Sequence, residues 1–392
     1  MSLCEKGVAP WQKKNYLKSY STIEATINSE ANDLYDFLKE LSESRSSRKS
    51  TIKRLEELCK SRESVALPYG SFETELMLPL SDIDITVVSE NSTPARTRKT
   101  MLKLLRTSGM FSILSVITNS RCPLIRAVEI ATGQKIDITF ENSSYRETLD
   151  LIKYNAEKYP LFRPVVLLIK FFLKQRGIND ASNGGLSSFA ISLLTISMFQ
   201  HENLKQNCLG NSLLCFFKLY GIDFDHISNG IDIRDGGKRV QIKEFIFDEK
   251  KMKGYFSSKE RKNTSVPLII NPMDGDLNVS KGTTKFYIAR QFFKAAYLKL
   301  IRIKIPGDGS ILKHIFFTSS PDINKQLIDK KKSKKRDKRP EKRNYERRNK
   351  QEEELEQTPQ KHSRKRSRQD ESDSDDEHTK TKRARILNKS RG

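Results

Sequence analysis

Asp82 and Asp84 stand one residue apart in the apolar run "SDIDITVV". In a strand, residues i and i+2 share a face, so both carboxylates project together while Ile83 and Ile85 point into a core. Carboxylates held side by side repel each other, and their simplest use is to share a divalent cation; Mg2+ prefers oxygen ligands together with substrate phosphates. A third carboxylate, Asp137, lies in a second strand-like run, "QKIDITFEN", between Ile136 and Ile138. If the two strands are neighbours, the three carboxylates converge as a two-metal site for attack at phosphorus. Gly70 and Ser71 precede them. Glycine lets backbone approach a phosphate closely, and a helix starting at "SFETEL" would aim N–H groups and its dipole at an anion.

The elements that must position these residues are legible in outline. Apolar residues recur at helical spacing from Tyr20 to Cys59, as in "LYDFLKEL" and "TIKRLEEL". "TPARTRKTMLKLLRTSG" reads as a helix closed by Gly109, and "MFSILSVITNSRCPLIRAVEIATGQKIDITFEN" as two or three strands between turn residues. Beyond Ile152 the pattern is mostly helical: "RPVVLLIKFFLKQRG" carries Pro164 in its first turn and Gly177 past its end, and "LSSFAISLLTISMFQ", "GNSLLCFFKLYG" and "YIARQFFKAAYLKLI" follow. The expected architecture is α/β + α and bilobal. It has an N-terminal helical segment (10–47) packed on the central domain, a small mixed-sheet α/β domain (48–152), a helical central domain (153–320) and a tail (321–392). The tail is built of like-charge blocks such as "KKKSKKRDKRPEKR" and "DESDSDDE", so it cannot offset its ordering entropy by burial and is expected to be disordered.

The 392 residues carry a formal net charge of +23. From Asp329 onward there are 24 Lys and Arg against 14 Asp and Glu, a net +10, which leaves +13 on the body. The body is therefore basic in its own right, and a polyanion, nucleic acid first, is the expected partner. Cys4, Cys59, Cys122, Cys208 and Cys215 are odd in number and form no CxxC pair, so neither a disulfide framework nor a zinc site is indicated. No leader-like apolar region opens the sequence, and its longest apolar stretch, "LSSFAISLLTISMF", is too short to span a bilayer. A soluble intracellular protein with no membrane partner is expected. Lys170, set among "VVLLI" and "FFL", is costly to bury unless its ammonium reaches water or an anion, and Lys174 shares its helix face.

"YGSFETELMLPLSDIDITVV", with its Gly-Ser pair, "LPLSD" approach and Asp-x-Asp, followed by a separate strand aspartate, resembles the signature of the DNA polymerase β-like nucleotidyltransferases. Within them the chain resembles nuclear poly(A) RNA polymerases of the TRAMP-complex type, the DNA polymerase sigma group. "APWQKKNY", "RPVVLLIKFFLKQRGINDASNGGLSSFAISLL", "LGNSLLCFFKLYGIDFDHISNGIDI" and "NPMDGDLNVSKGTTKFYIARQFFKAAY" continue the resemblance, which covers roughly Pro10 to Leu300 and includes the poly(A)-polymerase-associated (PAP-associated) region.

The resemblance implies a template-independent RNA 3′-end adenylyltransferase that takes ATP as donor. It makes Gly70, Ser71, Lys170 and Lys174 triphosphate ligands. Asp82, Asp84 and Asp137 become both the catalytic carboxylates and the ligands of two Mg2+ ions, with Mn2+ as an alternative. Ser188 and Phe189 stand where the family has Ser-Tyr, the serine on phosphate and the ring stacked on the base. Asn278 matches the asparagine that reads a base edge, while Asn271 replaces an aspartate and Lys281 an arginine in the same loop. Related uridylyltransferases place a histidine where this chain has Leu277, which favours adenine. Also implied are a zinc-knuckle RNA-binding protein and an RNA helicase feeding the exosome, and a nuclear or nucleolar location. "SRKRSR" and "KTKRAR" look like nuclear localisation signals. The rival readings are a terminal uridylyltransferase and a catalytically weak RNA-binding scaffold of the same fold.

Overall fold

The computed structural model describes residues 9–13, 22–42, 45–118, 123–140, 145–202, 208–243, 266–303 and 310–318. All belong to one compact unit, Met1–Lys332. The expected disordered tail, 321–392, lies outside the described residues.

Helix α1 (Ile23–Ser42) presents Ile27, Ala31, Leu34, Leu38 and Leu41 along one buried stripe, the spacing that 3.6 residues per turn requires. Helix α2 (Arg45–Lys60) leads into β1 (Ser64–Tyr69), followed by β2 (Ile83–Ser89) and helix α3 (Pro94–Ser108). Proline opens α3, and Gly109 closes it in the left-handed region at φ 66°, as the sequence suggests. The segment after Gly109 makes three strands, β3 (Phe111–Ile117), β4 (Leu124–Glu129) and β5 (Lys135–Phe140). Together they form a mixed five-stranded sheet in the order β1-β2-β5-β4-β3, with only β2 and β5 parallel.

Alternation along these strands sorts the side chains. Ile83, Ile85, Ile136 and Ile138 point to one face, where they form a core with Ile52 and Leu55 of α2 and Met101 and Leu105 of α3. Asp84 and Asp137, one residue out of phase, therefore stand on the opposite face.

The second and larger core is helical. It gathers residues of α1 with those of α4 (Tyr145–Lys158), α5 (Phe162–Lys174), α6 (Ser188–His201), α7 (Leu209–Lys218) and α8 (Phe286–Arg302). Phe172 sits at its centre, with ring centroids 4.9 Å from Phe217, 5.8 Å from Phe316 and 6.0 Å from Phe293. Helices α1 and α7 touch at Gly210, where a Cβ would lie 2.7 Å from the Asn28 backbone nitrogen, so only glycine permits that approach. A buried carboxylate, Glu30 of α1, accepts hydrogen bonds from Trp11 Nε1 (3.0 Å), Ile311 N (2.7 Å), Leu312 N (3.0 Å) and Ser310 Oγ. A short hairpin of β6 (Asn229–Asp232) and β7 (Lys238–Gln241) supports the loop that starts at Asn271 through a bridge from Ile231 to Ile269. Among the described residues no helix is long and apolar enough to cross a membrane.

Candidate active site

One row of side chains crosses the open sheet face. In register, Tyr69 of β1 pairs with Asp84 of β2, Asp84 with Asp137 of β5, Asp137 with Arg126 of β4, and Arg126 with Ser115 of β3. The two aspartates that the sequence places in separate strands are thus direct neighbours. Burial pushes the Asp84 carboxyl up to about 7; Asp137 and Asp82 add to the rise, and Lys170 opposes it. Burial also raises Asp137, against the pull of Arg126, whose Nε lies 3.2 Å from Asp137 Oδ2.

Asp82 stands differently from the expectation that it shares the strand with Asp84. The strand begins at Ile83, and Asp82 follows a turn closed by Ser81 N donating to Leu78 O (3.2 Å) with Leu80 at φ 56°. Among the described residues no group of three or more His, Cys, Asp or Glu side chains is gathered closely enough to hold a metal ion. On the same face Arg126 Nε donates to Asp137 Oδ2 at 3.2 Å. The donor chemistry nevertheless suits a hard divalent cation, since it consists of carboxylate oxygens, and burial and then neighbouring negative charge both favour protonation of Asp84 and Asp137, which a cation would oppose.

Gly70 follows β1 at φ 64°, and a Cβ there would sit 2.6 Å from Asp84 Oδ2. Its lack of a side chain is what lets the turn run directly over the aspartate. The helix expected at "SFETEL" does not form. Thr74 N donates to Gly70 O and Leu76 N to Ser71 O (both 3.1 Å), a widening turn that Glu75, left-handed at φ 61°, brings to an end. The N–H groups that would cradle a phosphate therefore come from a single turn.

Lys170 and Lys174 of α5 both reach this segment. Lys170 Nζ donates to Leu76 O (2.6 Å), and Lys174 Nζ donates to Pro79 O (3.0 Å). Burial lowers the Lys170 ammonium to about 8, Asp84 opposes that fall, and Lys174 adds to it. Sequence reasoning found both lysines but not the carbonyls they hold.

A cleft of 260 Å³ opens here, just below the roughly 300–1,000 Å³ typical of small-molecule sites. Gly70, Ser71, Asp84, Lys170, Ser188 and Phe189 line it, so most of the expected nucleotide ligands come together. Ser188 opens α6 behind the N-cap Ser187, whose Oγ accepts from Ala190 N (3.0 Å). Tyr69 and Tyr145 also line the cleft, with ring centroids 6.2 Å apart, and sequence reasoning missed both. The only available signal was an aromatic residue at a strand end and another at a helix start.

Asn278 is not brought there. Its Oδ1 accepts from Ile269 N (3.0 Å) and Ser280 N (2.9 Å), its Nδ2 donates to Pro267 O (3.0 Å), and it is buried. The amide expected at a base edge serves the architecture of its own loop. Asp82, Asp137 and Lys174 likewise stand outside the lining of the cleft itself.

Comparison with known proteins fits this geometry. Residues 27–156 match the family model for "Poly(A) RNA polymerase, mitochondrial-like, central palm domain". Poly(A) RNA polymerase cid14 of Schizosaccharomyces pombe is 30% identical over 286 residues, covering 70% of this chain and 40% of that protein. Among solved structures, the polymerase core of TRAMP, a RNA surveillance complex, aligns with a TM-score of 0.69 at 24% identity, over 79% of this chain and 100% of that one. The Cid1 poly(U) polymerase aligns with a TM-score of 0.59 at 20% identity, over 74% of this chain and 98% of that one. The fold is that of the TRAMP polymerase core, a mixed α/β sheet joined to helices, and in sequence the chain is similar to poly(A) RNA polymerases, as its motifs indicate. It spans less than half the length of the first curated relatives it matches.

Proposed function

We propose that this chain, similar in sequence to the poly(A) RNA polymerases and in fold to the TRAMP polymerase core, extends RNA 3′ ends with AMP from ATP and releases pyrophosphate. The observation that carries the reading is the register pair Asp84–Asp137, facing away from the sheet core beside a cleft that Gly70, Ser71, Lys170, Ser188 and Phe189 line.

Each side chain then has a task. The Gly70–Ser71 turn and the first turn of α6 offer N–H groups to phosphate oxygens. Lys170, already close enough to Asp84 to affect its ionisation, balances charge that builds on the leaving phosphates, and Lys174 supports it from one turn further along α5. Phe189 provides a face on which a base stacks; a phenylalanine keeps the stacking and forgoes the hydroxyl hydrogen bond of the tyrosine it replaces. Asp137 takes up the proton of the attacking 3′-hydroxyl once Arg126 releases it. Asp82, Asp84 and Asp137 would hold two Mg2+ ions, or Mn2+, which would supply Lewis-acid chemistry and positive charge to the reaction.

The nucleotidyltransferase residues 48–152, the helical region 153–320 and the N-terminal segment 10–47 form the catalytic body in this reading. A zinc-knuckle RNA-binding protein and a helicase deliver RNA to it in the nucleus, in exosome-linked decay. The support for these partners is the likeness to the TRAMP core together with the basic tail composition.

A second reading, terminal uridylyl transfer, is favoured by one observation: the Asn278 amide is spent inside its loop, so base choice falls to other groups. Primer extension with a 5′-labelled RNA and each ribonucleotide separately decides between them. A ladder with ATP alone, lost in an Asp82→Ala, Asp84→Ala double variant, supports adenylyl transfer. A stronger ladder with UTP establishes the second reading. No ladder with any nucleotide, with and without a zinc-knuckle partner, overturns both.

A further inference from the structure

The body's surplus positive charge has a location. Helix α3 holds Arg96, Arg98, Lys99, Lys103 and Arg106 and not one acidic residue, whereas α2 mixes its cations with Glu56 and Glu57. Four of the five, Arg96, Lys99, Lys103 and Arg106, are exposed. At 3.6 residues per turn they fall within about 80° of arc and span about 15 Å along the axis. The buried residues Thr97, Met101 and Leu105 occupy the opposite side of the same helix. The result is a straight cationic stripe along the outer surface of the sheet's helical layer.

Stability accounts for one member of the stripe alone, Arg106, which complements the helix dipole from the last turn. Arg96 lies in the first turn, where the helix dipole disfavours a cation, and the first turn contains no acidic residue. Arg96–Lys99, Lys99–Lys103 and Lys103–Arg106 are like-charge neighbours at i+3 or i+4 spacing, which repel. No ion pair among the described residues relieves any of the four. A set of charges that weakens its own helix fits a polyanion laid along it.

The stripe is also separate from the nucleotide cleft. Helix α3 packs on the isoleucine face of the sheet through Met101 and Leu105, and Asp84 and Asp137 occupy the other face. We propose that α3 is a second RNA-binding surface, gripping the phosphodiester backbone of the RNA body, without sequence readout, while the 3′ end lies in the cleft. The inference rests on the RNA substrate of the proposed function but not on adenylyl transfer.

The test uses the full chain with Arg96→Glu, Lys99→Glu, Lys103→Glu and Arg106→Glu combined. Binding of a 5′-fluorescein-labelled 30-nucleotide unstructured RNA is followed by anisotropy from 50 to 200 mM salt without nucleotide. Each single-strand phosphate contact contributes roughly −0.7 to the slope of log affinity against log salt, so losing four flattens the slope by about 3 and weakens binding at least about tenfold at 150 mM. Thermal melting of the same protein should change little, because four glutamates at the same spacing repel one another as the cations did, and the favourable acid gained in the first turn is offset by the one placed in the last. If the glutamate variant melts early, the four-glutamine variant is measured instead and should flatten the slope to a similar degree. A lysine-only variant (Arg96→Lys, Arg106→Lys) should bind as wild type. An unchanged slope and affinity in a folded variant overturns the proposal and leaves the stripe to an acidic protein surface. Because no nucleotide is present, a failed extension assay alongside a flattened slope would overturn adenylyl transfer and leave this surface standing.

Discussion

Lys170→Met separates a phosphate ligand from a structural strut. The ammonium is buried, and burial lowers its pKa from 10.5 to about 8. At 1.36 kcal/mol per unit, holding the charged form inside the fold costs about 3 kcal/mol at pH 7. Since the folded value lies below the unfolded one, this penalty is in full force below pH 8 and fades as pH rises toward 10.5. Methionine removes it while filling a similar volume, but strips Leu76 O of its 2.6 Å donor, a loss of about 1–3 kcal/mol. The gain matches or exceeds the loss, so at pH 7 the variant should be about 0–2 kcal/mol more stable than wild type. Extension should nonetheless fall by about 10²–10³ in kcat, the scale seen on removing one preorganised electrostatic donor. The assays are urea denaturation at pH 7 and 10 and primer extension at saturating RNA. A drop in stability well beyond 2 kcal/mol at pH 7 would mean that Lys170 is chiefly a strut for residues 76–80, and full retained activity would remove it from the mechanism.

Gly70→Ala forces a left-handed φ of 64° on a residue with a Cβ and drives that carbon to within 2.6 Å of Asp84 Oδ2; a stability loss of about 1–2 kcal/mol and a far larger loss of kcat should follow, read by melting and extension side by side. Phe189→Ala should raise the KM for ATP about tenfold or more, as loss of one base–aromatic stack implies, and Phe189→Tyr should restore it. Glu129 is raised by burial but lowered further by hydrogen bonds from Thr132, Thr51 and Arg54, so its carboxyl ends below the usual 4.5. Its contribution is therefore present above pH 4.5 and lost as pH falls; Glu129→Gln should flatten stability against pH in the acid range, measured by denaturation from pH 3 to 6.

The core of the site was legible because strand alternation is a strong rule. In "DID" and "KIDITF" the isoleucines had to share one face, which fixed the aspartates on the other, and the parallel β2–β5 pairing then made Asp84 and Asp137 neighbours. Helix α3 and its glycine stop were equally clear. The stretch between β1 and β2 was not. Glu75 and Leu80 adopt left-handed conformations that no residue preference announces, and these end the expected helix and detach Asp82 from the strand. Partners distant along the chain were also hidden. Arg126 reaches Asp137 only because β4 lies next to β5, and the carbonyls of Leu76 and Pro79 meet α5 only through tertiary packing. Asn278 illustrates the reverse case: a side chain matched by motif whose hydrogen bonds are consumed by its own loop.

The Glu30 carboxylate has a consequence for how the chain is made. Three of its four donors, at Ser310, Ile311 and Leu312, lie about 280 residues downstream, so during synthesis α1 leaves the ribosome long before they do. At roughly 5–20 residues per second that interval lasts from about a quarter of a minute to a minute. Until then the acid has Trp11 alone as a partner, and burial raises its pKa, which opposes sealing it in as an anion. A nascent chain cut before Ser310 would therefore have one of the four donors to Glu30, and would have to bury the acid with three bonds unmade or leave it in water. Glu30 thus ties the first helix of the helical core to residues 310–312, and its full set of donors exists only once Leu312 has been made.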